Sequence, residues 1–222
     1  MRYLLRALGI LVAVVALPVF GVAFGRAGAL AGAGLSVLAL LWLWLWLPRL
    51  AHDAFEAGKY RVAARRYRWL QWVATSRVRE RAAWLSRAAC AVADGDLDVA
   101  EPMLAAIDVS TLAAAERAVW LNNRACAQLA AHQDAVAALA LADEATGLRP
   151  DVPALQHTRA MALIGVGRID EAIAILDGMR TGGELPPRLE ADRCRELARA
   201  WERKGETAYA EDYRLRAEAF SR

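Results

Sequence analysis

From Tyr3 to Phe24 the chain is apolar apart from Arg6, and from Gly28 to Leu47 it carries no charge. About 20 apolar residues in helical form span the hydrocarbon core of a bilayer. Both runs reach that length, and the tight, glycine-containing stretch Gly25-Arg26-Ala27-Gly28 separates them. The pattern predicts a transmembrane helical hairpin over residues 1–48, with spans at about 3–24 and 28–47. Two other readings compete. A cleaved signal peptide would use Arg2 and Arg6 as its charged end, but such signals carry apolar stretches of about 7–15 residues. A pair of buried soluble helices would have to satisfy the indole N–H groups of Trp42, Trp44 and Trp46 inside a core. At a bilayer boundary the same rings fit the aromatic belt.

Beyond Leu47 the apolar positions fall into helical rhythm and a phrase recurs. Its clearest copy is Gly167-Arg168-Ile169-Asp170-Glu171-Ala172. Related copies begin at Gly58, Gly95 and Gly205, and a fainter one at Gln133. Their alanines, Ala63, Ala100, Ala138, Ala172 and Ala210, are 37, 38, 34 and 38 residues apart. Self-similarity at about 20–50 residues marks a stacked repeat array. Each unit reads as two antiparallel helices. In the fourth, Pro153 to Val166 is the first helix, Gly167-Arg168 the turn and Ile169 to Met179 the second helix. The recurrent alanine sits where two helices cross about 8–10 Å apart, a distance that requires small side chains.

These residues resemble the tetratricopeptide repeat family, which pairs two helices in about 34 residues. Leu148-Arg149-Pro150-Asp151 resembles its closing turn, and Trp84 its early first-helix aromatic. A small residue also recurs in each first helix: Ala51, Ala88, Cys126, Ala160 and Ala198. The expected fold is therefore all-α, with the N-terminal two-helix transmembrane hairpin followed by a TPR-like α-solenoid of about five helix pairs. The repeats fall at about 49–75, 76–109, 110–150, 151–180 and 186–221, within a domain covering 49–222. Two departures from the family stand out. Three of the four spacings exceed 34, and Gln133 stands where glycine is expected. Pro48 suits the first turn of a new helix, so Leu47-Pro48 is read as a kinked joint between the second span and the first repeat. Thr181 to Pro187, rich in Gly and Pro, is the expected least ordered stretch.

Charge refines this organisation. The net charge of +3 is not spread evenly. Lys59, Arg61, Arg65, Arg66, Arg68, Arg77, Arg79 and Arg81 face only Glu80 between residues 59 and 81, and the chain beyond is acidic on balance. The basic residues form a collar beside the second span, which argues against nucleic acid as partner. With Arg2 and Arg6 ahead of the first span and Arg26 alone in the turn, the positive-inside rule places both termini in the cytoplasm. Heavy use of Ala and Arg, with only Lys59 and Lys204, points to a bacterial inner membrane. Arg61, Arg65 and Arg68 share one helical face, close to Trp69 and Trp72. Together with Trp42, Trp46 and Arg49 they are the candidates for contact with the bilayer surface, including anionic headgroups. An ordinary solvated helix with positive-inside bias is the alternative.

The resemblance implies a peptide-binding inner surface built from the first helices. Mapped onto this chain, that surface includes Leu85, Trp120, Asn123, His157, Met161 and Arg195. Asn123 offers both donor and acceptor to a peptide backbone, and Trp120 is an anchor or else a packing residue between repeats. Ala89, Ala154 and Thr158 stand where a carboxylate clamp would need polar or basic groups, so binding of a chaperone C-terminal tail is not supported. Cys90, Cys126 and Cys194 form no CxxC pair and suit a reducing compartment. They and the three histidines, His52, His132 and His157, show no metal-ligand spacing. No phosphate loop, nucleophile elbow or HExxH is present. No cofactor is implied and no enzyme is expected. The expectation is a membrane-anchored scaffold or assembly factor that binds a protein or peptide partner. The alternative is a noncatalytic subunit of a membrane complex that also uses its hairpin.

Overall fold

The computed structural model describes residues 2–132, 134–180 and 183–220. Gln133, Thr181 and Gly182, and the side chains of Arg2 and His132, on which expectations above rest, lie outside the described residues. Among those described, the chain is all-helical, and it divides into two compact units, 1–94 and 95–222.

The first unit holds α1 (Arg2–Val22), α2 (Gly25–Leu41), α3 (Leu47–Glu56), α4 (Tyr60–Trp72) and α5 (Arg77–Ala93). Both N-terminal helices are long and apolar enough to cross a membrane. They pack against each other around the short Ala23-Phe24 turn. The turn comes earlier than expected, because Gly25 takes φ +76° and already opens α2. Beside the turn the backbones nearly touch. A Cβ on Gly21 would lie 2.2 Å from the Gly28 carbonyl oxygen, so only glycine fits. Their apolar side chains face outward: Phe20, Phe24, Leu30, Leu35 and Leu38 are all exposed. These helices therefore do not form a buried core.

No linker follows α2. A π-helical turn, Trp42–Trp46, carries the chain straight into α3, where Pro48 occupies the first turn. Proline has no N–H to give to the carbonyl four residues back. The backbone widens just ahead of it, and the Leu47 N–H bonds to the Trp42 carbonyl, five residues back. The expected kinked joint at Leu47-Pro48 is thus a π turn that also fans out Trp42, Trp44 and Trp46. From there α3 and α4 pack together, joined by contact of the Phe55 and Tyr60 rings. The end of α4 returns to the start of α1. The Arg6 guanidinium donates to the Gln71 carbonyl at 3.3 Å and pairs with Glu80 at 3.1 Å. The Tyr3 hydroxyl also donates to Glu80, and Arg79 stacks over the Trp44 ring at 4.0 Å.

The second unit holds α6 (Leu97–Ala105), α7 (Ala114–Ala127), α8 (Ala135–Leu148), α9 (Pro153–Gly165), α10 (Ile169–Gly178), α11 (Pro187–Arg203) and α12 (Thr207–Phe220). Each helix from α6 onward packs on the next, and α7, α9 and α11 also touch in series. The fourth unit's helices match expectation to within one residue. All five recurrent alanines are buried. The turns before α4, α10 and α12 share one geometry. Gly167 takes φ +83°, its N–H bonds to the Ile164 carbonyl at 3.2 Å, and the Arg168 N–H bonds to the Leu163 carbonyl at 2.9 Å. This is a Schellman closure, and it recurs at Gly58 and Gly205. In the faint third copy Asp134 has the same backbone, φ −83° and ψ 82°, and its carboxylate caps Ala137. The main core of the unit clusters on Leu163, Ile164, Leu176 and Leu197, with Leu185 from the Gly/Pro-rich stretch packed against it.

Candidate functional site

The site begins with a register change in α7. A second π-helical turn, Gln128–His132, follows that helix. A π turn inserts one residue into a helix. The small residue buried opposite Ala138 is consequently Ala125, fully enclosed, while Cys126 is half-buried. Every side chain of α7 is rotated by one position from the sequence mapping. Asn123, expected on the open face, is buried. Trp120 packs against the Leu121–Leu155 cluster, and its indole N–H donates to the Leu104 carbonyl at 2.9 Å. Trp120 is therefore tied into the fold, as in its packing alternative. The residue equivalent to His157 becomes Asn122.

Asn122 and Cys126 lie one turn apart in α7. The Cys126 sulfur is 3.5 Å from the Thr158 hydroxyl of α9. His157, next to Thr158, is turned toward α11, where its ring hydrogen-bonds to the backbone of Asp192. Burial pushes the His157 pKa below its ordinary value, against the opposing pull of Glu196 and Asp192. A neutral ring bonded through one nitrogen leaves the other as an acceptor. His157 Nε2 and Asn122 Oδ1 are both enclosed with no hydrogen-bond partner among the described residues. Buried polar atoms are rarely left so. Further along α11, Arg195 pairs with Asp192, and Arg199 with Glu196 at 3.0 Å. Met161 lies half-exposed one turn after His157. Burial also pushes the Cys126 thiol up, so it is a poor nucleophile.

The structure thus places Asn122, His157, Met161 and Arg195 in a row on α7, α9 and α11, which touch in series. Leu85 is buried in α5 of the first unit and belongs to a different group. Sequence reasoning missed Asn122 because the π insertion has no composition signal. The spacing of 38 residues between Ala100 and Ala138 was the available clue that a helix was lengthened. It also missed the pair buried in α11, where Glu190 takes Arg193 at 2.7 and 2.9 Å and Arg193 reaches the Leu176 carbonyl at 3.2 Å. That pair holds α11 to the end of α10 and does not reach the row.

Elsewhere in the second unit, a depression of about 680 Å³ lies between α8, α9 and α10. Thr146, Gln156 and Ile175 line it beside an Asp143–Arg159 ion pair. Among the described residues no group of three His, Cys, Asp or Glu side chains is placed to hold a metal ion. The membrane-surface candidates Trp42, Trp46, Arg49, Arg61, Arg65 and Arg68 are all exposed or half-exposed. Arg61 turns to Asp94, at 3.1 Å. No protein-family model matches this chain, and no curated protein or solved structure matches it either.

Proposed function

We propose that the chain is a membrane-anchored interaction scaffold or assembly factor. In this reading α1 and α2 form a transmembrane hairpin in a bacterial inner membrane, with both termini cytoplasmic. The helix pairs beyond form a tetratricopeptide-like array that binds a protein or peptide partner. The outward-facing apolar side chains of α1 and α2 support the anchor, since so large an apolar surface is costly in water. The row Asn122, His157, Met161 and Arg195 carries the binding reading. It sets the half-buried polar side chains of Asn122 and His157, an adaptable thioether and a paired guanidinium on successive helices, which suits the alternating amides and side chains of an extended peptide.

The test is photo-crosslinking of the full chain in native membranes. A photoreactive residue at Met161 or Arg195 is expected to give one discrete protein adduct. The same residue at Val136, exposed on α8, serves as control. Equal labelling at Val136 would remove the scaffold reading. Adducts from Leu30 and Leu35 of α2, with none from the row, would favour a complex subunit held by its spans.

A further inference from the structure

We infer that the α4–α5 turn is a second membrane contact, a foot that enters the headgroup layer of an anionic bilayer beside the spans. The inference rests on the reading that α1 and α2 cross the membrane. Its position comes from the first unit's own contacts. Arg6, one turn into α1, reaches the carbonyls of Gln71 and Ala74 at the end of α4 and the carboxylate of Glu80 in α5. Trp44, in the π turn that ends α2, lies under Arg79. Both spans therefore end at the level of residues 71–80.

At that level the turn displays what an interface takes up. Trp69, Trp72 and Val78 are 58%, 65% and 59% exposed, and the two indoles meet edge to face with centroids 5.8 Å apart. Arg68 and Arg77 flank them, both exposed. Exposed Trp flanked by Arg, continuous with an apolar helical pair, matches the chemistry of anionic headgroups over the first acyl carbons. The geometry also limits the foot. The helix α4 runs back toward the spans, because Arg66 in its middle donates to the Leu50 carbonyl of α3 while its end meets Arg6. Arg61 lies about 16 Å along α4 from Trp72, at 1.5 Å per residue, on the side away from Arg6, and it is engaged with Asp94. The basic stripe Arg61-Arg65-Arg68 thus stands on end, and only its Arg68 end reaches lipid.

The experiment uses the full chain reconstituted in phosphatidylcholine vesicles, with or without phosphatidylglycerol, containing lipids brominated near the headgroup end of the acyl chain. The fluorescence lost in the conservative double variant Trp69→Phe, Trp72→Phe isolates those two indoles. The variant Trp42→Phe, Trp46→Phe isolates the span boundary. Both difference signals are expected to be quenched. The Trp69/Trp72 signal is expected to depend on phosphatidylglycerol, and Arg68→Gln with Arg77→Gln is expected to weaken it, by about five-fold in the docking equilibrium per charge removed. Quenching of Trp42/Trp46 without quenching of Trp69/Trp72 overturns the foot and leaves the spans intact. No quenching of either signal overturns the spanning reading itself. Quenching that ignores lipid charge overturns the assignment to anionic headgroups.

Discussion

At the scale of single residues, the N-terminal pair of helices turns on one serine. Pro18 lies inside α1 and has no N–H, so the Val14 carbonyl four residues earlier loses its helical donor. Ser36 of α2 supplies the replacement. Its hydroxyl lies 2.6 Å from that carbonyl and 3.0 Å from the Gly32 carbonyl of its own helix. In hydrocarbon no water can substitute, and serine side chains are among the groups that re-satisfy such carbonyls. The sequence shows both residues, but nothing in the linear pattern says that position 36 lies against position 14. The Ser36→Ala variant is therefore expected to lose about 1–3 kcal/mol, the penalty for a buried acceptor left unpaired. Adding Pro18→Ala should restore most of it, because an alanine at that position brings back the missing N–H. Detergent unfolding of the four proteins in this cycle checks the coupling, and simple additivity would show that Ser36 does not serve the Val14 carbonyl.

At the scale of elements, the repeated phrase was readable because it encodes a turn. The demand for positive φ at Gly58, Gly95, Gly167 and Gly205 and for a small residue at each crossing leaves a visible periodicity. The two π turns leave no such periodicity: one shows only as Pro48 behind it, the other only as a lengthened spacing between Ala100 and Ala138. One of them moved the open face of α7 from Asn123 to Asn122. The ion pair inside α11 was equally hidden. Glu190 and Arg193 look like an ordinary i, i+3 surface pair, yet both are buried. The Arg193 guanidinium holds the Glu190 carboxyl below its usual range. Removing one partner strands the other charge. Arg193→Met is expected to destabilise the second unit by about 3–5 kcal/mol, whereas Glu190→Leu together with Arg193→Met should recover most of that. Chemical unfolding of the full chain in detergent micelles reads both. A single variant as stable as the double would mean that water reaches Glu190.

At the scale of the whole molecule, composition suggests a break after residue 48, where the apolar runs end, while the packed structure divides at 94/95. The difference is physical. Composition follows the solvent each segment prefers, whereas packing follows contacts: α4 packs on α3 and α5, and side-chain bonds tie its end and α5 to the N-terminal helices. Arg6 caps carbonyls at the end of α4 and neutralises Glu80, and Trp44 covers Arg79. A chain cut at 48/49 loses all of these at once: the carbonyls at the end of α4 lose a charged donor and Glu80 loses both its Arg6 and Tyr3 partners. Local opening free energies track such losses. Hydrogen exchange should therefore show residues 60–93 exchanging faster in a 49–222 fragment than in the full chain, with residues 95–220 equally protected in both. Unchanged protection of 60–93 would mean that α3, α4 and α5 stand on their own packing and that the N-terminal helices only tether them.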